Sequence, residues 1–409
     1  MNPPRLTLFH PTFAARGGAE LLALDEGEYL TRRGVRVDIV TYAHDPALWG
    51  ERLERMPVRV APWRPWTDVF RAWTRASRLR IQGRSAVPML AEADVVVAHN
   101  APASSILGGA PIRGRKIWQC NEPPRSLHLR EANPNLAARA DAVPKAPEWA
   151  TEDFRDALRR HDEALARKAT FFLRRGLDLE GVAGLDHIYA ISAFSRDGAR
   201  RIYGRCQEEP VFPIVRFPEG GSRRAGLSRS GLNVLTHSRL EAAKNIDTVI
   251  RGFAAYHAGS PGSRLHVVGE GPVRARLEQL AAELLPADAF LFHGYLPADD
   301  LRRVYEACDV FALLSLDEPF GMVYPEAAAR GLLLIGSDHG GPCEILEGGD
   351  LGWVCDPFSP GALAEALGAV AALGDGEVDR RRQRTDDACR GRFSAEAAGA
   401  VLVRALKLN

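Results

Sequence analysis

Several features that mark other classes of protein are missing from this chain. Its six cysteines form no Cys-x-x-Cys pair, which argues against a zinc site and favours free thiols in a reducing compartment. No stretch approaches the roughly 18 apolar residues that a membrane-spanning helix needs. A Gly-x-Ser-x-Gly nucleophile elbow and an apolar-flanked Asp-x-Asp are also absent, so neither a serine hydrolase nor a dedicated metal site is indicated.

The chain also has almost no net charge. Its 53 Lys and Arg residues against 52 Asp and Glu residues give +1 over 409 residues, which argues against nucleic acid as a partner. The first residues, Met1–Arg5, lack the apolar region of a secretory signal, and a strand-like Leu6–Phe9 follows at once. We therefore expect a cytoplasmic protein, with any membrane contact made from the surface.

Short apolar runs alternate with longer helical patterns along the whole chain. This alternation is typical of parallel βαβ units with helices on both faces of a sheet. Two sets of strands are predicted. They are Leu6–Phe9, Val35–Thr41, Val58–Val60, Asp94–Ala98, Lys116–Cys120 and His187–Ile191, then Leu232–Thr236, Arg264–Val268, Phe290–His293, Val310–Leu314, Leu332–Ile335 and Trp353–Cys355.

The polar segment from Arg216 to Ser230 separates the two sets and is interpreted as a linker. The predicted fold class is therefore α/β, with two doubly wound domains. We expect a first domain over 1–215, with a helical insertion at about 121–186 that is long for a simple connection. A second domain is expected over 216–390, and residues 391–409 are expected to form a helix that crosses back to the first domain.

The stretch between Glu318 and Glu326 carries the strongest functional pattern. It follows an apolar strand and precedes a helix-forming run, so one carboxylate lies on the loop and the other in the first helical turn. Ligands of open α/β sheets bind at this edge, where helix N-termini bind phosphate. We expect backbone N–H groups of Gly321, Met322 and Val323 to hold a diphosphate and the two acids to bind sugar hydroxyls. Phe320 is a further candidate to contact the same ligand.

A pair of cations follows the first strand of the predicted second domain. Arg239 and Lys244 lie on the loop that leads into the next helix. Two cations at such a position can neutralise a diphosphate and stabilise it as a leaving group. Two solvated basic residues are the alternative, and the acidic pair downstream favours the functional interpretation.

Glycine-containing turns recur where predicted strands meet helices. Gly17 and Gly18 open the first helix, and Gly269 follows a strand of the second domain. Such glycines let a backbone approach a phosphate closely. Gly269 and the neighbouring turn with Tyr295 and Leu296 are candidates to surround a nucleobase, with ordinary turn chemistry as the equal alternative.

His99 ends a predicted strand of the first domain, at the edge where active-site groups lie. A structural histidine held by a backbone carbonyl is the alternative. His187 begins a strand and is interpreted as structural.

The segment 58–90 is basic and aromatic, with seven arginines against the single acid Asp68 and with Trp63, Trp66 and Trp73 between them. A helix of this composition fits adsorption to anionic lipid. An exposed arginine face with its aromatics turned into the core is the alternative interpretation.

These motifs, taken in order, resemble a retaining glycosyltransferase of family 4 with the GT-B fold, built from two Rossmann-like domains facing across a cleft. The resemblance covers nearly the whole chain and is densest from Leu232 to Asp356. It rests on the Glu-x7-Glu element of Glu318 and Glu326, on the basic pair, and on the N-terminal glycine loop. Trp118–Arg125 is similar to a Tyr-Cys-His-x-Pro-Arg segment of mannosyltransferase-like members, with Asn121 in place of the His.

The resemblance implies specific roles. The second domain would bind a nucleoside diphosphate sugar, with Glu326 on the ribose and Glu318 on the transferred sugar. Arg239 and Lys244 would hold the diphosphate, assisted by the N–H groups of Gly18, Met322 and Val323, and His99 would contact the sugar. Such enzymes need no metal and no further cofactor. The acceptor would be a glycan, a lipid-linked sugar or a small molecule, with GDP-mannose ranked ahead of UDP-sugars as donor.

Two other function classes fit the same ligands. A nucleotide-sugar 2-epimerase would convert the donor without any acceptor. A non-catalytic sugar-nucleotide-binding protein would keep the site without turnover. The joint presence of five candidate site residues argues against such a loss, namely Glu318, Glu326, Arg239, Lys244 and His99.

Overall fold

The computed structural model describes residues 4–14, 17–62, 85–143, 149–218, 226–228 and 230–408. Two compact units are present. Unit 1 comprises Met1–Ala132, Arg159–Ile214 and Ala395–Asn409, and unit 2 comprises Asn133–Leu158 and Val215–Ser394.

Unit 1 contains a parallel six-stranded sheet in the order β3-β2-β1-β4-β5-β6. Its strands are β1 (Arg5–Phe9), β2 (Arg36–Thr41), β3 (Val58–Val60), β4 (Val95–His99), β5 (Arg115–Cys120) and β6 (His187–Ala190). Every residue of β4 is buried, as expected of a parallel strand covered on both faces by helices.

The helices of the first half of the chain connect and cover this sheet. They are α1 (Gly18–Arg32), α2 (Pro46–Leu53), α3 (residues 85–90), α4 (Ala103–Gly108), α5 (Arg125–Ala132), α6 (Pro134–Ala142), α7 (Trp149–Arg167), α8 (Ala169–Ala183) and α9 (Ala193–Tyr203). In the described part of the segment between β5 and β6 there are therefore four helices, α5 to α8.

Unit 2 contains a second parallel sheet, in the order β12-β11-β10-β7-β8-β9. Its strands are β7 (Asn233–His237), β8 (Arg264–Val268), β9 (Phe290–Gly294), β10 (Val310–Leu313), β11 (Leu333–Ser337) and β12 (Trp353–Cys355). Its helices are α10 (Ile246–His257), α11 (Arg274–Leu284), α12 (Ala298–Ala307), α13 (Val323–Ala328), α14 (Gly341–Ile345), α15 (Pro360–Ala371) and α16 (Asp375–Phe393).

Helix α10 shows why these segments fold as they do. It buries apolar residues at the helical spacing i, i+3, i+4 and i+7, namely Ile246, Val249, Ile250 and Phe253. Its Gly252 faces α15 so closely that a Cβ would lie 2.8 Å from the Leu363 Cβ. The two helices therefore approach each other closely over a small residue.

The last helix, α17 (Ala395–Leu406), belongs to unit 1 although it follows unit 2 in the chain. It packs against α1, where Gly399 lies so close to the Tyr29 ring that any Cβ would overlap it. Arg115 also donates to the carbonyl of Leu406 at 2.8 Å. The predicted fold class is therefore confirmed, including the helix that returns to the first half of the protein.

Both sheets reverse their strand order at one place, between β1 and β4 in unit 1 and between β7 and β10 in unit 2. The connections on the two sides of such a switch point leave in opposite directions and open a crevice at the carboxyl ends of the strands. The Glu318 loop follows β10 and the Lys244 loop follows β7. Both loops thus lie at the switch point of unit 2.

One segment groups differently from the expected boundaries. Residues 133–158, expected in the first domain, belong to unit 2. The Ala150 N–H donates to the Asp247 carboxylate at 3.1 Å, and Arg276 lies over the Trp149 ring at 4.1 Å from its centroid. These contacts connect residues far apart in sequence, so local patterns carry no information about them.

Within the described ranges, no helix combines the length and the apolar composition that a membrane crossing requires.

Candidate functional site

Lys244 and Glu318 meet at the switch point of unit 2. The Lys244 Nζ donates to the Glu318 Oε2 at 2.5 Å, and the two side chains are 22% and 13% exposed. They are 74 residues apart in sequence, so the contact depends on the neighbouring positions of β7 and β10. A cation and a carboxylate in contact at a partly open edge can bind one ligand that has both an anionic part and hydroxyl groups.

Asn245 holds the Lys244 loop in place. Its side-chain amide is buried and donates to the carbonyls of Leu314 and Pro357 at 2.8 and 2.7 Å. Its backbone has a left-handed φ of 56°, which asparagine adopts more readily than most residues. The loop leaving β7 is therefore tied to the loop leaving β10 directly beside the lysine. Sequence analysis missed this residue, although an asparagine just before a helical pattern is a common boundary residue.

Glu326 lies in the first turn of α13, half-buried, beside Tyr305 and Arg330. Burial raises the pKa of the Tyr305 hydroxyl well above its ordinary value, and the Glu326 charge raises it further. Arg330 stacks over the Tyr305 ring at 4.9 Å and donates to the Glu326 carbonyl at 2.8 Å. Beneath them, the His237 Nδ1 lies 2.9 Å from the Tyr305 hydroxyl oxygen. The Glu326 carboxylate is thus supported by packed polar side chains, namely Tyr305, Arg330 and His237.

The loop between the two acids presents backbone N–H groups before the helix begins. The first backbone hydrogen bonds of α13 are Tyr324 N–H to Gly321 O and Glu326 N–H to Met322 O. The N–H groups of Met322 and Val323 therefore precede the helical ladder, as the prediction requires. The Phe320 side chain, by contrast, is 2% exposed and packs edge-on against Phe393, so it lies in the core.

The Gly340–Gly341 turn supports this loop. A Cβ at Gly340 would lie 2.5 Å from the Glu318 carbonyl oxygen, and one at Gly341 would lie 2.3 Å from the Phe320 Cα. The Gly341 N–H donates to that same Glu318 carbonyl at 2.8 Å. Because neither glycine has a side chain, the turn after β11 packs directly against the backbone of the loop after β10. This contact helps to orient Glu318.

Gly269 has a structural reason to be glycine. Its φ is 129°, and a Cβ there would lie 1.8 Å from the Ser238 carbonyl oxygen. Its N–H donates to the Gly294 carbonyl at 2.9 Å, so it joins the turns that follow β7, β8 and β9. Tyr295, just beyond, is 63% exposed and Leu296 is half-buried. These positions line the same edge of the sheet as Lys244.

Arg239 is the least constrained of the predicted residues in unit 2. Its side chain is 64% exposed, and its ion-pair partner is Glu241 at 3.1 Å. The structure joins Lys244 to Glu318 and keeps Arg239 on the exposed rim of the same loop.

His99 is the last residue of β4, at the switch point of unit 1, and its side chain is fully buried. Its Nε2 lies 3.9 Å from the Glu26 Oε2, and neither ring nitrogen has a hydrogen-bond partner among the described residues. Burial lowers the pKa of His99 to about 3, with a further decrease from His10. Burial also raises the pKa of Glu26 well above its ordinary value. The histidine is therefore uncharged near neutral pH, and the Glu26 carboxyl holds its proton more strongly than an exposed glutamate does.

We expect this buried histidine to make the protein acid-sensitive. The pKa of His99 is lower in the folded chain than its ordinary 6.5, so its favourable contribution is complete above pH 6.5 and is lost as the pH falls towards 3. The slope can reach about 1.4 kcal/mol per pH unit. Melting curves from pH 7 down to pH 4.5 should show a smaller loss for His99→Gln than for the native chain.

The control for that measurement is His44→Gln, at a half-buried histidine of the same unit. Its melting temperatures should follow the native pH dependence. Parallel curves for His99→Gln and the native chain would contradict the assignment.

Gly17 and Gly18 begin α1, at the carboxyl end of β1. Gly17 is extended, with φ −145° and ψ 167°, and a Cβ at Gly18 would meet no atom within 4 Å. Neither packing nor backbone strain at Gly18 requires glycine. The open space around it agrees with the predicted approach of a ligand, which remains a prediction.

Arg139 forms a cluster that sequence analysis did not find. From α6 it pairs with Asp338 at 2.8 Å and with Asp356 at 2.5 Å, on the residues that follow β11 and β12. Next to it, the His339 Nε2 lies 3.1 Å from the Asn133 Oδ1. The carboxyl edge of the sheet beyond Glu318 is therefore covered by the 133–158 segment, and no local pattern predicts such a contact.

The expected membrane contact of residues 58–90 stays a prediction. Most of the basic, aromatic segment 58–90, namely residues 63–84, lies outside the described residues.

In the part of the chain that is described, no group of three or more His, Cys, Asp and Glu side chains is arranged to hold a metal ion. Metal independence stays a prediction.

Comparison with known families supports the motif analysis. Residues 224–386 match the family model "Glycosyl transferases group 1". This range contains Arg239, Lys244, Glu318 and Glu326. The resemblance is therefore confirmed at the level of group 1 glycosyl transferases.

Curated relatives match over part of the chain. A D-inositol 3-phosphate glycosyltransferase of Acidothermus cellulolyticus is 35% identical over 158 residues, which is 36% of this chain and 35% of that protein. A mannosylfructose-phosphate synthase of Agrobacterium fabrum is 35% identical over 136 residues, 31% of this chain and 30% of its own. The match thus spans about a third of the length of these relatives.

Solved structures match over nearly the whole chain. The HepE protein of Anabaena in complex with UDP and glucose has a TM-score of 0.70, 18% identity, and coverage of 98% and 99% of the two chains. The apo lipopolysaccharide outer core galactosyltransferase WaaB has a TM-score of 0.68 with 13% identity, covering 98% and 99%. At these identities the likeness establishes the fold alone.

Proposed function

We propose, on the premise that residues 224–386 form a region of the group 1 glycosyl transferases, that the protein is a retaining hexosyltransferase of family 4. It moves a hexose from a nucleoside diphosphate sugar to a hydroxyl of a glycan, a lipid-linked sugar or a small molecule. The observation that supports this most strongly is the contact of Lys244 with Glu318 at the switch point of unit 2. The similarity of the fold to a protein solved with UDP and glucose agrees with a nucleotide-sugar donor.

The proposed binding mode assigns one part of the ligand to each group. The Lys244 ammonium, with Arg239 at the rim, attracts the diphosphate, and the N–H groups of Met322 and Val323 donate to its oxygens. Glu318 accepts from hydroxyls of the transferred sugar, and Glu326 accepts from the ribose. Each carboxylate lies in a packed setting, so little ordering remains to be done on binding.

The reaction follows as a front-face displacement. The bond between the anomeric carbon and the diphosphate oxygen breaks while the acceptor hydroxyl forms a bond on the same face, which retains the configuration. The leaving oxygen takes the acceptor proton, so no strong side-chain base is needed. The charge that grows on the leaving diphosphate is stabilised by Lys244, Arg239 and the backbone donors.

In this scheme Gly17 and Gly18 approach the diphosphate. His99 is assigned to the sugar near the reacting centre, and because its side chain is fully buried, this contact requires neighbouring side chains to move on binding. The resemblance suggests these roles, and the carboxyl-end positions of the residues in unit 1 agree with them. The enzyme would act without a metal, in the cytoplasm, with peripheral membrane attachment through 58–90 as a further part of the proposal.

The test begins with the donor. A thermal-shift panel of guanosine, uridine and adenosine diphosphates and their sugars should show one base that raises the melting temperature most. Incubation of that sugar nucleotide with candidate acceptors should then release nucleoside diphosphate, and the product anomer should match the donor anomer. Conversion of the donor without acceptor would favour an epimerase instead. Binding without any turnover across the acceptor panel would favour a sugar-nucleotide-binding protein.

A further inference from the structure

Helix α8 carries two adjacent large apolar side chains on its surface. Phe172 is 54% exposed and Leu173 is 51% exposed. Ala169 and Gly176, at spacings of three and four residues from them, are exposed as well. These four positions form one continuous apolar stripe along the helix. Scattered single apolar residues are common on protein surfaces, whereas a continuous stripe indicates an interaction.

The orientation of α8 is fixed by its opposite side. Phe171 and Val182 are buried there, and so is Asp178. The Asp178 carboxylate accepts from Ser105 Oγ at 3.0 Å and from the Tyr203 hydroxyl at 2.7 Å. If α8 were rotated so that Phe172 and Leu173 faced inward, the Asp178 carboxylate would leave its buried position and lose these hydrogen bonds. The stripe therefore faces outward as a property of the packing.

Cations surround the N-terminal end of this stripe. Arg167 and Lys168, which join α7 to α8, are exposed, and Arg160 is exposed one to two turns earlier on α7. The acids among them are Glu163, which is exposed, and Asp162, whose side chain is 45% exposed and pairs with Arg130 at 2.7 Å. Arginine and lysine can keep their charge at the level of lipid headgroups while their stems extend along apolar surface. Apolar side chains beside a group of cations are typical of surfaces that enter the headgroup layer of anionic membranes.

We propose that this α7–α8 corner, defined by Arg160, Arg167, Lys168, Phe172 and Leu173, docks on an anionic lipid bilayer. Phe172 and Leu173 enter the boundary between headgroups and acyl chains, and the cations face lipid phosphates. A stable protein interface buries about 800 Å² on each partner around a packed apolar centre. Two apolar side chains in a basic surround provide less than that, and they suit shallow insertion. None of these five residues belongs to the proposed donor-binding set or to residues 58–90.

The test is flotation of the full chain with vesicles. Pure phosphatidylcholine is compared with a mixture that contains about one third phosphatidylglycerol, at low and at high salt. We expect binding to the anionic vesicles at low salt and little binding to the neutral ones. Phe172→Ser/Leu173→Ser and Arg167→Glu/Lys168→Glu should each weaken the partition by about tenfold or more.

The matched control is Leu291→Ser, which removes a side chain that is 47% exposed on the edge strand β9 of unit 2. It should bind as the native chain does. Melting temperatures of all variants, and their thermal shift with nucleoside diphosphates, should equal those of the native chain. The vesicle assay does not involve the donor, so its result can be interpreted even if the donor proposal fails.

Three outcomes would overturn the proposal. One is equal flotation with neutral and anionic vesicles, or none with either. Another is native binding by the Phe172→Ser/Leu173→Ser variant, which would move the contact to the 58–90 segment. The last is a concentration-dependent dimer by light scattering that this variant abolishes, because a second copy of the chain would then be the occupant.

Discussion

Replacement of Lys244 by alanine is expected to lower the turnover of the sugar nucleotide by about 100- to 1,000-fold, the usual effect of removing one preorganised donor from a developing anion. The physical reason is the position of its ammonium group, which is 22% exposed and contacts Glu318 at the switch point of unit 2. A partly desolvated cation acts on the leaving diphosphate through less water than a surface lysine does. The measurement is nucleoside diphosphate release under saturating donor, with the acceptor found in the panel.

Loss of Lys244 also leaves the Glu318 carboxylate, which is 13% exposed, without this partner. Part of the effect could then come from a distorted loop. The double variant Lys244→Ala/Glu318→Gln separates the two explanations, because it removes the unpaired charge together with the cation. If charge stabilisation is the role of Lys244, the double variant regains thermal stability but not turnover, which stays at or below that of Lys244→Ala because Glu318→Gln also removes the carboxylate proposed to bind the sugar.

The control is Arg303→Ala on α12, which removes a cation that is 70% exposed and paired with Asp300 at 3.1 Å. Exposed pairs of this kind contribute about 0–1 kcal/mol to stability. Its turnover should be native. Native turnover by Lys244→Ala would contradict the proposed role of the lysine.

Gly269→Ala is expected to have the largest effect on stability, a loss of about 3 kcal/mol or more in the free energy of unfolding. A left-handed or otherwise positive φ costs a residue with a side chain about 1–3 kcal/mol, and here overlap with a backbone oxygen adds to it. That oxygen is the Ser238 carbonyl, 1.8 Å from the position of the added Cβ. Relief requires the turn after β8 to separate from the loop after β7, so donor affinity should decrease as well.

The matched control is Gly368→Ala in α15, where an added Cβ meets no atom within 4 Å. Alanine in a helix interior is favoured over glycine by about 0.5–1 kcal/mol, so this variant should be slightly more stable than the native chain. Thermal melts and urea titrations of the two variants measure the contrast. Equal stability of Gly269→Ala and the native chain would show that the turn accommodates a side chain.

These two predictions both depend on the contacts that hold the loops of unit 2 together. Lys244 contacts Glu318 because Asn245 and Gly269 connect the loops after β7, β8 and β10. The ligand-binding side chains are few, whereas the residues that position them are buried and distributed over several loops. Variants at the supporting residues should therefore affect binding and stability together.

The described structure agrees with the sequence where the information is local. The strand predicted at Asp94–Ala98 is observed at Val95–His99, within one residue, because apolar spacing and turn residues act over neighbouring positions. Helix α16 (Asp375–Phe393) has many charged residues, so its buried positions, such as Val378 and Phe393, form only a weak apolar pattern.

The sequence by itself determined the α/β class, the two sets of six strands, and the two loops that carry Lys244 and the Glu318–Glu326 pair. Only the tertiary structure decided which side chains meet. It joins Lys244 to Glu318, keeps Arg239 on the rim, buries Phe320 and His99, and brings Arg139 to Asp338 and Asp356. The reason is that these contacts depend on strand order and packing between residues far apart in the chain, whereas a sequence pattern records only the preferences of neighbours.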